Sequence, residues 1–389
     1  MAMDNVYIAS ATRTAGGKAK RGMLKNFRPD DMAAAVMNAA VERAGIKAEQ
    51  VEDIILGCAI PEGAQGMNVA RVAAMGAGMP DTVSAATINR FCSSGLEAMS
   101  IVAAKIQAGL YDIGIGGGTE SMSLTPMPGA GFAPNPRLID EKPEVYIGMG
   151  NAGDNVARDF GFEREELDEW ALRSNERAIA AIDEGKFVQE ITPLNVPSNG
   201  GEPIIFDTDE GPRRGTTLEG LASLRPAFAA SPKLGFHTAG NSSQMTDGAA
   251  ACVLMSKKAL DETGAKPEAR FLSYNVAAGD PKYLGPAQLD AIPRACELAG
   301  IKVEDVGVFE MNEAFASVVL LIMRELKIDS EKVNPNGGAI ALGHPLGCTG
   351  AKLSAQIIQE LKRRGEKYGV VTMCIGGGMG AAGVFELCD

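Results

Sequence analysis

A chain of 389 residues exceeds what one ordinary core organises, since cores stop growing at ~250–300 residues, so two or three packed units are expected. Its 46% apolar content is that of a globular protein, and a net charge of −12 lacks the basic footprint of a nucleic-acid binder. Apolar runs such as Val318–Met323 fall far short of the ~20 residues a spanning helix needs, so no membrane span is expected. The chain opens on MAMDN, with an acid at Asp4 and no basic-then-apolar leader, so no secretory signal is expected. Seven cysteines, an odd number without CxxC pairs, fit reduced thiols of a cytosol-like compartment and neither a disulfide framework nor a zinc ribbon.

In chain order, VEDIILG from Val51 reads as a buried strand. TVSAATINRF is short and β-branched, hence a second strand. The following segment sets Leu96, Met99, Ala103, Ile106 and Leu110 on one helical face, with Ser93 or Ser94 to cap its start and Gly109 to close it. Cys92 falls at the strand-to-helix turn. On position alone it is either a thiol activated and lowered by the helix end or a small buried hydrophobe. IGIGGG from Ile113 reads as a strand running into a glycine turn. From about 119 to 240 the composition changes, with five prolines between Pro126 and Pro143 and a charged helix around 163–186 holding the lone Trp170. Arg213, Arg214, Arg225 and Lys233 follow, a solvated face or a phosphate clamp. This stretch reads as a loop domain inserted in the first half.

The second half offers VGVFEMN as a strand, then Asn312, a helix cap by position, and a helix from about Phe315. His344 lies in the Gly-rich NGGAIALGHPLGCTG, where Pro345 holds the His backbone away from helix. A helix over about 352–363 leads to the strand GVVTMCIGGG, where Cys374 is either a plain strand residue or the neighbour of a glycine anion pocket. Four segments repeat in order. AGIK at Ala44 and Ala299, the apolar runs at Val51 and Val306, and Gly95 with Gly350 are each 255 residues apart; IGGG at Ile115 and Ile375 is offset by 260, read as a small insertion. A repeat this long is a duplicated domain, so layered α/β halves are expected, each with a mixed or parallel sheet.

Five motifs, NRFCSSG, TAGNSSQMTDGAAA, NEAFA, GGAIALGHPLGCTGA and CIGGGMGAAG, resemble the thiolases in order and spacing from about Tyr7 to the C-terminus. The Cys-Ser-Ser-Gly segment is similar to 3-ketoacyl-CoA thiolases, whereas acetoacetyl-CoA thiolases more often carry Cys-Gly-Ser-Gly. The resemblance implies an α/β thiolase-like fold of duplicated halves with an α/β/α/β/α core and an inserted loop domain. The expected division is 1–118 with 241–268, 119–240 for CoA binding, and 269–389. It implies thiolytic cleavage of 3-ketoacyl-CoA with Cys92 as nucleophile, His344 as its base, Cys374 as acid/base, and oxyanion donors from Cys92, Gly376, His344 and an Asn312-held water. Met149 would cover the acyl pocket with Phe315 beside it. Ala239, Ser243, Ala314 and Phe228 would line the pantetheine path, and Arg213 would meet the nucleotide end. Gly148 stands where many relatives have His, and His237 reads as structural or surface. CoA is expected as co-substrate, with no bound cofactor or metal. The expected assembly is a homodimer or homotetramer, associating with a multifunctional β-oxidation enzyme in the cytoplasm. The alternative is a short-chain acetoacetyl-CoA thiolase; a ketosynthase-like condensing enzyme and a non-catalytic acyl-CoA or lipid carrier stand further off, and the second active-site cysteine argues against both.

Overall fold

The computed structural model describes residues 3, 6–198, 200–229 and 235–388, so Asp4 and Lys233 lie outside the described residues. The strands are β1 (Val6–Arg13), β2 (Gly17–Lys18), β3 (Asp53–Gly57), β4 (Ser84–Ile88), β5 (Ile113–Ser121), β6 (Leu194–Val196), β7 (Ile204–Phe206), β8 (Thr246–Ser256), β9 (Ala269–Ala278), β10 (Val308–Met311), β11 (Tyr368–Ile375) and β12 (Met379–Leu387). The helices are α1 (Pro29–Ala44), α2 (Val69–Gly76), α3 (Ser94–Gln107), α4 (Pro136–Glu141), α5 (Met149–Asp159), α6 (Arg164–Asp183), α7 (Leu218–Ala222), α8 (Lys257–Thr263), α9 (Gln288–Leu298), α10 (Ala316–Leu326), α11 (Ala339–Leu342) and α12 (Thr349–Arg364).

The two half-sheets are joined, where separate sheets were expected. A ten-stranded sheet runs β10-β11-β12-β9-β1-β8-β5-β3-β4, with β2 beside β8. The seam is short: β1 meets β9 only through Tyr7 with Arg270 and Ile8 with Ala269. The outer strands pair in parallel, β3 with β4 and β5, and β10 with β11; the inner ones pair antiparallel.

Alternation along the strands builds the layers. In β8, Ala249, Ala251, Val253 and Met255 face the core with α1 and α2, while Ala250, Cys252 and Leu254 face the core with α3 and α12. The outer face of the second half packs on α5, α6, α9 and α10. The result is five layers, α/β/α/β/α, with α3 and α12 at the centre. These two helices are repeat counterparts and meet at their matched glycines. A Cβ at Gly95 would lie 2.8 Å from the Ala351 nitrogen, and one at Gly350 would lie 2.3 Å from the Leu96 nitrogen. No side chain fits between these backbones.

The strand register corrects one repeat match. Asp53 pairs with Gly114, and Val308 with Gly369, both pairs shifted by 255, so the counterpart of IGGG at Ile115 is Val370–Met373. The 260-residue offset was a likeness between strand glycines at 116–118 and hairpin glycines at 376–378, without an insertion. Gly116, Gly117 and Gly118 do not turn but lie inside β5, because a Cβ there would strike Met99, the Ala250 oxygen or the Gly347 oxygen. Leu110 lies beyond the end of α3 and is exposed. Neither Ser93 nor Ser94 caps that helix. The inserted stretch holds α4 to α7 and the β6–β7 ribbon, and α5 within it went unread although Met149, Ala152, Val156 and Ala157 keep helical spacing. No helix among the described residues is long and apolar enough to cross a membrane.

Candidate active site

NRFCSSG forms a tight turn in which nearly every side chain has a task. Asn89 Oδ1 accepts the Phe91 N–H at 2.8 Å, and its Nδ2 donates to Ala59 O. Ser94 Oγ accepts the Arg90 N–H and donates to Phe91 O. Ser93 pairs instead with the Tyr274 hydroxyl at 3.0 Å. These bonds hold Phe91 at φ +46, a left-handed conformation a bulky residue adopts only under constraint. The turn sets Cys92, 8% exposed, against Ala59, Ile60, Met122 and Leu346. The N–H groups of Cys92 itself and of Gly376 act on the thiol in the lowering direction. The expected lowering of this thiol is not found. Burial outweighs the two N–H groups and pushes it up to about 12.

His344 sits in a loop that Gly343 enters at φ +86. The His344 N–H donates to Gln244 O and Thr246 Oγ1. Its Nδ1 lies 2.6 Å from Thr349 Oγ1, and Nε2 lies 3.3 Å from Asn312 Nδ2. With the Asn312 amide donating to Nε2, the proton of the neutral ring sits on Nδ1 and points to Thr349. Nε2 is therefore a free-base nitrogen, not yet the N–H donor expected from the sequence; it becomes one on taking a proton. Burial, then the Lys352 charge, pull the imidazole down to about 3. Asn312 is no helix cap: Phe315 takes that place on α10, and Asn312 reaches the histidine instead.

Cys374 is fully buried near the end of β11. Burial, and then the nearness of Cys92, hold its thiol well above its ordinary value. The Gly376 N–H serves Cys92 and not Cys374, which correlates with the hairpin: Gly377 and Gly378 at φ +81 and +78 turn the chain into β12. Ala152, Leu284, Ala314, Phe315 and Val318 pack around Cys374, with Met149 and Ile147 alongside. A Cβ at Gly376 would meet Met149 Sδ at 3.2 Å, so Met149, the first residue of α5, covers this point. Gly148 caps that helix.

From there an aromatic and polar path leads outward. Phe315 packs edge-on with Phe228 at 5.6 Å between centroids, and the Ser243 N–H donates to Ala314 O. Ala239 and Arg213 line an open cleft of about 210 Å³ with Asn175, Thr216 and Leu224. The other predicted cations do not join them: Arg214 pairs with Asp183, and Arg225 is exposed. His237 is not at the surface. It is fully buried, its Nδ1 2.9 Å from Asp154 Oδ1 and its ring 4.9 Å from that of Phe315.

Several residues of the site escaped the sequence reading. Glu120 is buried and accepts from Ala59 N and Gly347 N at 2.7 and 2.9 Å, tying the wall of the Cys92 pocket to the His344 loop. Glu313 accepts from Trp170, Ser174, Asn334 and Ile340 and fastens the inserted stretch to the second half. The signal for Glu120 was an acid inside an apolar glycine strand; Thr349, a hydroxyl five residues after His344, gave none.

The chain matches two family models, "Thiolase, N-terminal domain" over residues 6–258 and "Thiolase, C-terminal domain" over residues 265–387. It is 50% identical to the 3-ketoacyl-CoA thiolase of Bacillus subtilis (strain 168), over 99% of this chain and 100% of that one. It is 44% identical to peroxisomal 3-ketoacyl-CoA thiolase 1 of Arabidopsis thaliana, over 99% and 90%. Among solved structures, the Bacillus anthracis acetyl-CoA acetyltransferase superposes with a TM-score of 0.90 at 40% identity, covering 99% of both chains. With both halves matched and the layered α/β fold in place, this chain belongs to the thiolase family.

Proposed function

We propose that the chain is a 3-ketoacyl-CoA thiolase, which uses CoA to split a 3-ketoacyl-CoA reversibly into acetyl-CoA and an acyl-CoA two carbons shorter. Cys92 gives its proton to His344 Nε2 and attacks the 3-keto carbon. The C2–C3 bond breaks, and its electron pair leaves as the acetyl-CoA enolate, which takes the Cys374 proton. Incoming CoA returns a proton to Cys374, its sulfur attacks the acyl-Cys92 thioester, and Cys92 recovers its proton from His344. The N–H groups of Cys92 and Gly376 stabilise one oxyanion. Protonated His344, with a water held by Asn312, stabilises the other. Losing one such donor typically costs ~10²–10³ in rate. The observation that carries the reading is convergence on one thiol: Gly376, two residues after Cys374, lies against Phe91 of the Cys92 turn, and Leu346 of the His344 loop packs with Cys92 itself.

Residues 119–240 serve as the CoA-holding segment, with Arg213 at the nucleotide end; its place on the cleft with Ala239 supports this. The pantetheine arm would pass Ser243, Ala314 and Phe228 toward Met149 and Phe315. CoA is co-substrate, and no resident cofactor or metal enters the scheme. A homo-oligomer in the cytoplasm, acting in fatty-acid β-oxidation beside a multifunctional partner enzyme, is the cellular reading; seven free cysteines suit a reducing compartment. The test is kcat/KM for C4, C8 and C16 3-ketoacyl-CoA with CoA. Cleavage of the longer substrates is expected. Cleavage of C4 alone would mark an acetyl-CoA acetyltransferase, and cleavage of none would refute the assignment.

A further inference from the structure

Lys352 is a costly residue where it stands. It is 3% exposed, and it occupies the first turn of α12, where the helix dipole disfavours a cation. Its Nζ donates to Gly343 O at 3.0 Å, the carbonyl immediately before His344. Thr349, three residues earlier on the same helix, holds the imidazole Nδ1. One helical turn therefore grips the loop at both backbone and ring.

We propose that Lys352 is a positioning residue for His344: it anchors the loop carbonyl and sets a fixed positive charge near the imidazole. The inference rests on the base role proposed for His344.

The surroundings give the direction of the effect. Around Lys352 stand Arg13 on β1, Asp209 of the inserted stretch, Glu310 on β10 and Cys348. Arg13 is engaged by Asp209 and Glu190. Burial holds the Glu310 carboxyl well above its ordinary value, and neither of its oxygens meets a donor among the described residues. Burial pulls the Lys352 ammonium below its ordinary value, Arg13 adds to that pull, and the Asp209 carboxylate opposes it. Facing the imidazole are Asn312 after β10 and Thr349 and Lys352 on α12, while Gln244 O and Thr246 Oγ1 accept from the His344 main-chain N–H. Lys352 is the charged group among them. It opposes the imidazolium and so keeps Nε2 free to take the Cys92 proton.

The test uses the full chain with histidine labelled at Cε1, His344 being assigned by comparison with His237→Asn. Lys352→Arg keeps the charge; Lys352→Gln keeps a donor without the charge; Lys352→Met, a second neutral variant, keeps the apolar stem. In the wild type and Lys352→Arg the His344 ring is expected to stay neutral to below about pH 5, against an ordinary value of ~6.5. In a neutral variant it should titrate at least about one unit higher, and the acid limb of kcat/KM for acetoacetyl-CoA thiolysis should move up by the same amount, a ~10-fold loss relative to the wild type on the falling part of the limb. Equal His344 titration in the wild type and a neutral variant overturns the proposal. So does a wild-type ring titrating near ~6.5. A chain that cleaves no 3-ketoacyl-CoA in any form would refute the proposed function, while the ring titration would still judge Lys352.

Discussion

His237 and His344 are the chain's two histidines, and burial lowers both, yet their partners assign them different work. His237 is held by the Asp154 carboxylate and packs on Phe315; nothing among the described residues links it to Cys92. His237→Ala should lower stability by ~2–3 kcal/mol, through a cavity and a buried carboxylate left short of a partner. It should change kcat/KM by less than ~10-fold, or ~1.4 kcal/mol. Denaturant melts with steady-state rates decide this, and a thousandfold kinetic loss would restore the two-histidine ketosynthase. Cys374 separates two steps. Cys374→Ala should still take label from radioactive acetyl-CoA, because acylation needs Cys92, His344 and the oxyanion hole. It should lose exchange of the acetyl-CoA methyl protons with deuterium by ~10³ or more. Exchange near the wild-type rate would move the acid/base role to another group. At this scale Cys92, His344 and Cys374 were legible in their motifs, since a Cys at a helix start and a His before Pro leave local marks. The pull of burial on each proton was not, because it depends on which distant segments close over the site.

The paired helices show how duplication builds the site. His344 is the repeat counterpart of Asn89, which braces the Cys92 turn, and the two turns, Phe91–Ser93 and Leu346–Cys348, pack together at the same offset of 255. In the proposed mechanism one copy presents the nucleophile and the other the base. Because α3 and α12 touch backbone to backbone, Gly350→Ala cannot be absorbed by a rotamer change. It should cost ~2–4 kcal/mol of stability and lower activity in the fraction that folds, since both catalytic turns lead into these helices. A melt unchanged within ~0.5 kcal/mol would refute the close crossing. The glycine match at 95 and 350 was visible in the sequence. That it marks a helix crossing was not, since equal spacing carries no information on which faces meet. The glycines of β5 misled for a related reason: a glycine run signals a turn locally, and only the Met99, Ala250 and Gly347 contacts make it a strand.

For the whole molecule, α/β alternation and duplication were legible, but the seam joining the half-sheets was not; it depends on two residue pairs 261 or more positions apart. Burial of His344 also has a global consequence. Its value falls from ~6.5 unfolded to about 3 folded, so between these limits the unfolded chain binds more protons. The stability is therefore present above ~6.5 and lost as pH falls, by ~1.4 kcal/mol per unit. Buried carboxyls such as Glu120 and Glu313 are raised and act in the opposite sense, so the wild type must be compared with His344→Ala. Between pH 6.5 and 5 the wild type should lose ~2 kcal/mol more than the variant by urea denaturation. Equal losses would mean an imidazole that is not held neutral. The most direct measurement of the central claim is acylation itself. After incubation with acetyl-CoA and digestion, mass spectrometry should find one added acetyl group, on the peptide containing Cys92. An acetyl on Cys348 or Cys374 with Cys92 unmodified, or none on any cysteine, would contradict it.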